Sequence, residues 1–159
     1  MKTAVIFYSF DGNSALVAET IRDSFKADAF EIKTVDAKKR TGFAKFFWGG
    51  SQVFFHKKPA LLPLEVNVNT YDLIILGTPV WAGSPSPAMV SFLSGTPLSG
   101  KKVALFCCHG GGKGKALEKF RALLPGSTIV AETDFENAAK NGRAALKEKI
   151  GEWIGSFSS

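Results

Sequence analysis

Ser9-Phe10-Asp11-Gly12-Asn13-Ser14 follows an apolar run, Ala4–Tyr8, and opens a stretch of helical spacing. A glycine that allows close backbone approach, two hydroxyls and the first amides of a helix make an anion cradle. The same Ser, Asp and Asn also suit plain helix capping. The Gly-Lys-Ser/Thr ending of a Walker A loop and the Gly-x-Gly-x-x-Gly fingerprint are both missing. A second stretch, Gly77-Thr78-Pro79-Val80-Trp81-Ala82-Gly83, sets a tryptophan between turn residues. Such an indole either packs on a neighbour or stacks on a planar ligand. In a third, Cys107-Cys108-His109-Gly110-Gly111-Gly112, the glycines let backbone approach something flat, or form a turn. No Ser–His–Asp order, metal-ligand spacing or carboxylate pair accompanies them.

Each stretch comes at the end of a run that reads as a strand. Ala4–Tyr8, Phe30–Val35, Leu73–Leu76, Val103–Cys108 and Ile129–Ala131 are the expected strands. Gly12–Phe25, Pro87–Leu93, Ala116–Leu124 and Ala138–Ile154 are the expected helices. Strands alternating with helices imply a parallel sheet covered on both faces, a three-layer α/β sandwich. Ligands of such sheets bind at the carboxyl ends of the strands, where all three stretches fall.

The chain has 159 residues, 45% of them hydrophobic, and a net charge of +6. That length suits one domain with a core of its own, and the apolar content excludes a disordered chain. No apolar run approaches the roughly 20 residues of a membrane-spanning helix. Met1-Lys2-Thr3 leads straight into the first strand, so a secretory leader is not expected. The adjacent Cys107 and Cys108 cannot staple distant parts of the fold, which suits a reducing cytoplasm. The surplus charge is local: Lys38, Lys39, Arg40, Lys45, Lys57 and Lys58 stand together without an acid. With Phe43, Phe46, Phe47, Trp48, Phe54 and Phe55 they form a basic, aromatic insert at about 37–63, between the second and third strands. The segment invites comparison with single-strand nucleic-acid binders, but those spread such residues along a groove across a scaffold. Nucleic acid is therefore not the expected partner; the aromatics at 43–55 are candidates for a sheet-edge or homodimer contact.

Taken together, the three stretches resemble the flavodoxin family. Tyr8-Ser9-Phe10-Asp11-Gly12-Asn13-Ser14 is similar to its phosphate loop, Ser/Thr-x-Thr-Gly-Asn-Thr/Ser, and the Gly77–Gly83 and His109–Gly112 stretches to its two flavin loops. The resemblance spans nearly the whole chain and implies a five-stranded parallel sheet of order 2-1-3-4-5 with FMN as cofactor. By position, Ser9, Phe10, Asp11, Gly12, Asn13 and Ser14 would surround the phosphate, and Thr78 and Pro79 the ribityl chain. Val80, Trp81, Ala82 and Gly83 would meet the isoalloxazine, with His109, Gly110 and Gly111 at its pyrimidine edge. Two departures stand out. Asp11 replaces a threonine, so its carboxylate must turn away or cap the helix start. Between Asp72 and Glu118 there is no acid, while Lys101, Lys102, Lys113 and Lys115 are present. The resemblance implies an electron carrier between redox proteins, docking acidic partners over Lys113 and Lys115. The alternative on the same fold is an FMN-dependent NAD(P)H or quinone oxidoreductase.

Overall fold

The computed structural model describes residues 1–35 and 58–158. Its centre is strand β1 (Thr3–Tyr8), in which every residue after Thr3 is buried. Helix α1 (Asn13–Phe25) follows, then β2 (Asp28–Ile32), β3 (Leu73–Trp81) and a two-residue strand β4 (Ser84–Pro85). Next come α2 (Pro87–Gly95), β5 (Lys102–His109), α3 (Ala116–Ala122), β6 (Thr128–Glu136) and α4 (Arg143–Gly155). The sheet order is β2-β1-β3-β5-β6, all parallel, and β4 folds back antiparallel on β3. With β4 set aside, this is the expected 2-1-3-4-5 order.

Alternation along each strand divides the apolar residues between two faces. Ala4, Ile6, Ile74, Leu76 and Leu105 meet Met89 and Phe92 of α2 and Phe120 of α3. Val5, Phe7, Leu73, Ile75 and Ala104 meet Val17 and Ile21 of α1 and Ile150 and Trp153 of α4. Helices thus cover both faces, as continuous apolar strands require.

Several boundaries differ from the sequence expectation, each for a visible reason. The second strand ends at Ile32, because the next residues pair elsewhere: Thr34 bridges Leu61 antiparallel, Val35 N–H donates to Ala60 O (2.9 Å) and Leu62 N–H to Lys33 O (2.8 Å). The third strand runs through Gly77-Thr78-Pro79 to Trp81, since Val80 and Trp81 pair with Pro85 and Ser84. Ala82 and Gly83 both have positive φ, 50° and 70°, as the tight primed hairpin turn demands. The last strand continues to Glu136 past a bulge opposite Val103/Ala104. Its polar alternation, Glu132, Asp134 and Glu136, belongs to a sheet edge and hides it from an apolar scan. The closing helix begins at Arg143, not Ala138; a turn with Asn137 at φ 48° takes up 137–141. Most of the insert expected at 37–63, with its aromatics and the dimer contact they suggested, lies outside the described residues. Among the described residues no helix is long and apolar enough to cross a membrane.

Candidate functional site

The carboxyl ends of β1, β3 and β5 enclose a pocket of about 360 Å³, within the ordinary range for ligand sites. Asp11 and Asn13 from the first loop, Pro79, Val80 and Trp81 from β3, and His109 and Gly110 from the end of β5 line it together. Cys108, Asn137 and Lys140 complete the wall. Of the residues expected from sequence, Ser9, Phe10, Gly12, Ser14, Thr78, Ala82, Gly83 and Gly111 are not among those that line it.

The first loop is held by its own polar side chains. Ser9 Oγ accepts from Ala15 N–H (3.1 Å), and Asp11 Oδ1 accepts from Asn13 N–H (3.3 Å) and Asn13 Nδ2 (3.2 Å). Asp11 therefore meets the first helical amide, the capping expected for a carboxylate there. Gly12 takes φ 99°, a conformation that favours glycine. Ser14 is 1% exposed and lies against the Cys108 thiol, its hydroxyl otherwise without a hydrogen-bond partner among the described residues. A buried, unmatched hydroxyl is costly unless something outside the chain completes it. Its place in the first turn of α1, where the helix dipole favours an anion, fits a phosphate group.

Trp81 packs on its neighbours and also borders the pocket. It is 6% exposed, edge-on to Tyr8 (5.9 Å) and Phe10 (5.3 Å), and it still lines the pocket. Thr78 is different. Its hydroxyl lies 3.0 Å from Ser86 Oγ and accepts from Ser86 N–H (2.9 Å), while Ser86 Oγ caps α2 at Met89 N–H (3.3 Å). Thr78 thus joins β3 to α2, with its side chain fully buried. The third loop folds onto the hairpin turn: a Cβ on Gly114 would stand 3.4 Å from Gly83 Cα.

His109 has both ring nitrogens engaged. Nδ1 accepts from Gly112 N–H (3.0 Å), which leaves Nε2 as the protonated nitrogen, donating to Asp134 Oδ2 (2.7 Å). Asp134 also pairs with Lys113 Nζ (3.2 Å), and Lys149 Nζ donates to its backbone oxygen. Sequence reading had His109 but not Asp134, because the pair is 25 residues apart and only the β5–β6 register joins them. Burial alone would raise the Asp134 carboxyl; the hydrogen bonds from His109 and Lys113 and the charges of Lys113 and Lys149 outweigh it and hold it below the usual carboxylate range. A lowered folded-state pKa stabilises the fold above the unfolded value, and that contribution disappears as pH falls through the lower one. Asp134→Asn is therefore expected to lose stability at neutral pH and to show a shallower decline below about pH 4 than the parent, read from melting temperature against pH. Burial pushes both Cys107 and Cys108 up to about 12, so at neutral pH they are inert thiols.

Comparison with known proteins agrees with this architecture. The NADPH-dependent FMN reductase family matches residues 1–136. The chain belongs to that family. No curated protein sequence matches it. Among solved structures it is similar to a Lactobacillus acidophilus flavoprotein in complex with FMN, with TM-score 0.73, 24% identity, and 96% of this chain and 97% of that one covered. A Megasphaera elsdenii flavodoxin in its two-electron reduced form gives TM-score 0.59 at 18% identity, with 99% of each chain covered. Oxidised flavodoxin 2 from Bacillus cereus gives TM-score 0.59 at 18% identity, covering 99% of this chain and 98% of that one. The fold is flavodoxin-like, and FMN is the cofactor that membership of the reductase family brings.

Proposed function

We propose that this FMN reductase family member is an FMN-dependent oxidoreductase that takes reducing equivalents from a reduced nicotinamide nucleotide. The carrying observation is the charge of the pocket. Among the described residues, Asp11 is the single acid lining it and Lys140 the single lysine. Just outside, Asp134 is matched by Lys113. An acid-lined pocket would oppose an anionic reduced flavin and favour one-electron delivery at low potential; a neutral one accepts two electrons readily.

When bound, FMN supplies the hydride acceptor, and the chain holds and orients it. Asn13, Gly12 and Ser14 would receive the phosphate, and Trp81 and Val80 would flank the ring. Gly110 and Gly111, held by the His109–Gly112 hydrogen bond, would approach its polar edge. Lys115, exposed beside the Lys113–Asp134 pair, offers a cation to the phosphates of an incoming dinucleotide. The carrier reading, electron transfer between redox proteins in the cytoplasm, uses the same lysine to dock an acidic partner. Mixing the FMN-loaded protein with NADPH in a stopped-flow instrument separates the two. Direct bleaching of the flavin absorption is the expected result. Bleaching only after a separate reductase is added would replace the oxidoreductase with the carrier.

A further inference from the structure

We propose that Asp134 is a positioning residue that holds the glycine loop 109–113 in the shape bordering the pocket, by fixing which nitrogen of His109 carries the proton. This rests on the FMN reading above, because the loop is the part expected at the flavin's polar edge.

One carboxylate takes both ends of the loop. Asp134 Oδ2 accepts from His109 Nε2 (2.7 Å), and Asp134 Oδ1 accepts from Lys113 Nζ (3.2 Å). Between those ends Gly112 N–H donates to His109 Nδ1 (3.0 Å), so the ring fastens the loop to itself. The base of the loop is fixed too. Asn137 N–H donates to His109 O (2.9 Å), and a Cβ on Gly110 would stand 3.6 Å from Asn137 Oδ1. His109 and Gly110 line the pocket and Asp134 does not, so Asp134 acts on a ligand through the histidine.

A neutral imidazole has one N–H and one bare nitrogen. With a carboxylate at Nε2 the proton is held there, and Nδ1 is left to accept from Gly112. The other tautomer would leave the carboxylate without its donor and set two N–H groups face to face at Gly112. An amide at position 134 has one oxygen for two donors, and its NH2 can turn toward the ring and favour that other tautomer. Three consecutive glycines carry no side chains that could hold the loop instead.

The same bond makes the loop sensitive to acid, because a proton on Nδ1 removes the acceptor of Gly112 N–H. The charged groups around the ring are Asp134 and Glu136 of β6, Lys113 of the loop, and Lys149 of α4, which donates to Asp134 O. Asp11 and Lys140 line the same pocket. Carboxylates and lysines ordinarily keep their charge between about pH 5 and 8, the range in which histidine titrates. Cys107 and Cys108, pushed up to about 12, stay neutral there.

The test pairs nitrogen NMR of the histidine-labelled protein with FMN titration followed by flavin fluorescence. At about pH 8 the parent's His109 is expected in the Nε2–H form, and Asp134→Asn should show a mixture of tautomers. Asp134→Asn should bind FMN about tenfold more weakly, as when only about a tenth of the loops are closed. From about pH 8 to 5 the parent's Kd should rise by a similar factor. His109→Gln, which cannot take up a proton there, should start weaker and stay level, a difference that loss of stability alone would not produce. An Nδ1–H ring in the parent would overturn the proposal. So would parent-like FMN binding by Asp134→Asn, or one pH profile shared by the parent and His109→Gln. The parent's tautomer and pH profile decide the matter even where Asp134→Asn does not fold. A parent that binds no FMN strikes the FMN reading instead, and the tautomer still shows whether Asp134 holds the loop.

Discussion

Gly77→Ala is expected to destabilise the protein by about 3 kcal/mol, the upper part of the range for overpacking a core. A Cβ at Gly77 would fall 2.0 Å from Phe106 Cζ and 2.4 and 2.5 Å from its two ε carbons. Gly77 and Phe106 are paired across β3 and β5, so the ring lies over the glycine as its cross-strand neighbour. Phe106 cannot retreat. It is fully buried and edge-on to Phe135 (6.0 Å) and Trp153 (6.5 Å), which tie it to β6 and α4. Either β3 moves away from β5 or the ring leaves its well, and each costs packing on the α1–α4 face. For a chain of this size the loss corresponds to a melting temperature lower by roughly 10 °C. Urea unfolding of Gly77→Ala, Phe106→Leu and the double variant gives a check. The double variant should be less destabilised than the two single losses added, because leucine frees the space alanine needs. Additive losses would mean that Gly77 is not under the ring.

The second large effect is expected at Trp81. Trp81→Ala should cost about 3–5 kcal/mol of stability and also weaken flavin binding, whereas Trp81→Phe should keep most of the stability. The indole closes the α2–α3 core against Tyr8 and Phe10 and forms pocket wall as well. Truncation leaves a cavity open to the pocket, into which water or the ligand can settle. Thermal melts and flavin titration on the two variants separate the roles. A stable Trp81→Ala that no longer binds flavin would make the indole a ligand platform with little share in the core.

These two sites show where sequence is informative and where it stops. Glycine and tryptophan are visible as punctuation at a strand end, and apolar runs located the strands of the parallel sheet, the last of them only over Ile129–Ala131. The first loop was legible because its residues are contiguous, and chain order alone brings Asp11, Gly12 and Asn13 to one helix start. Gly77 looked like the end of a strand, yet it is the middle of one. What makes it a glycine is a ring 29 positions later in the chain, at Phe106, and no local pattern announces it. Asp134 and Lys140 were missed for the same reason. Both come from the stretch after β5; the β5–β6 register brings Asp134 to His109, and the Asn13–Ala139 hydrogen bond fastens the turn that carries Lys140 to the pocket. The short hairpin from β3 to β4 was hidden by Pro79 and Pro85, residues that usually argue against strands.

The carboxylates of the last strand bear on how the molecule lives among its own copies. Among the described residues β2 and β6 are the outermost strands, and an unpaired strand edge is a template on which another chain can add. β6 presents Glu132, Asp134 and Glu136 along its length, and β2 presents Asp28 and Glu31. A second copy laid edge to edge against either strand would have to accommodate these charged side chains and the Arg121, Lys113 and Lys33 partners that Glu132, Asp134 and Glu31 hold. Strand addition, the route by which sheets grow into fibrils, is thereby opposed at both ends of this sheet. Among the described residues, it is addition at the sheet edges, rather than contact through any other surface, that these side chains bear on.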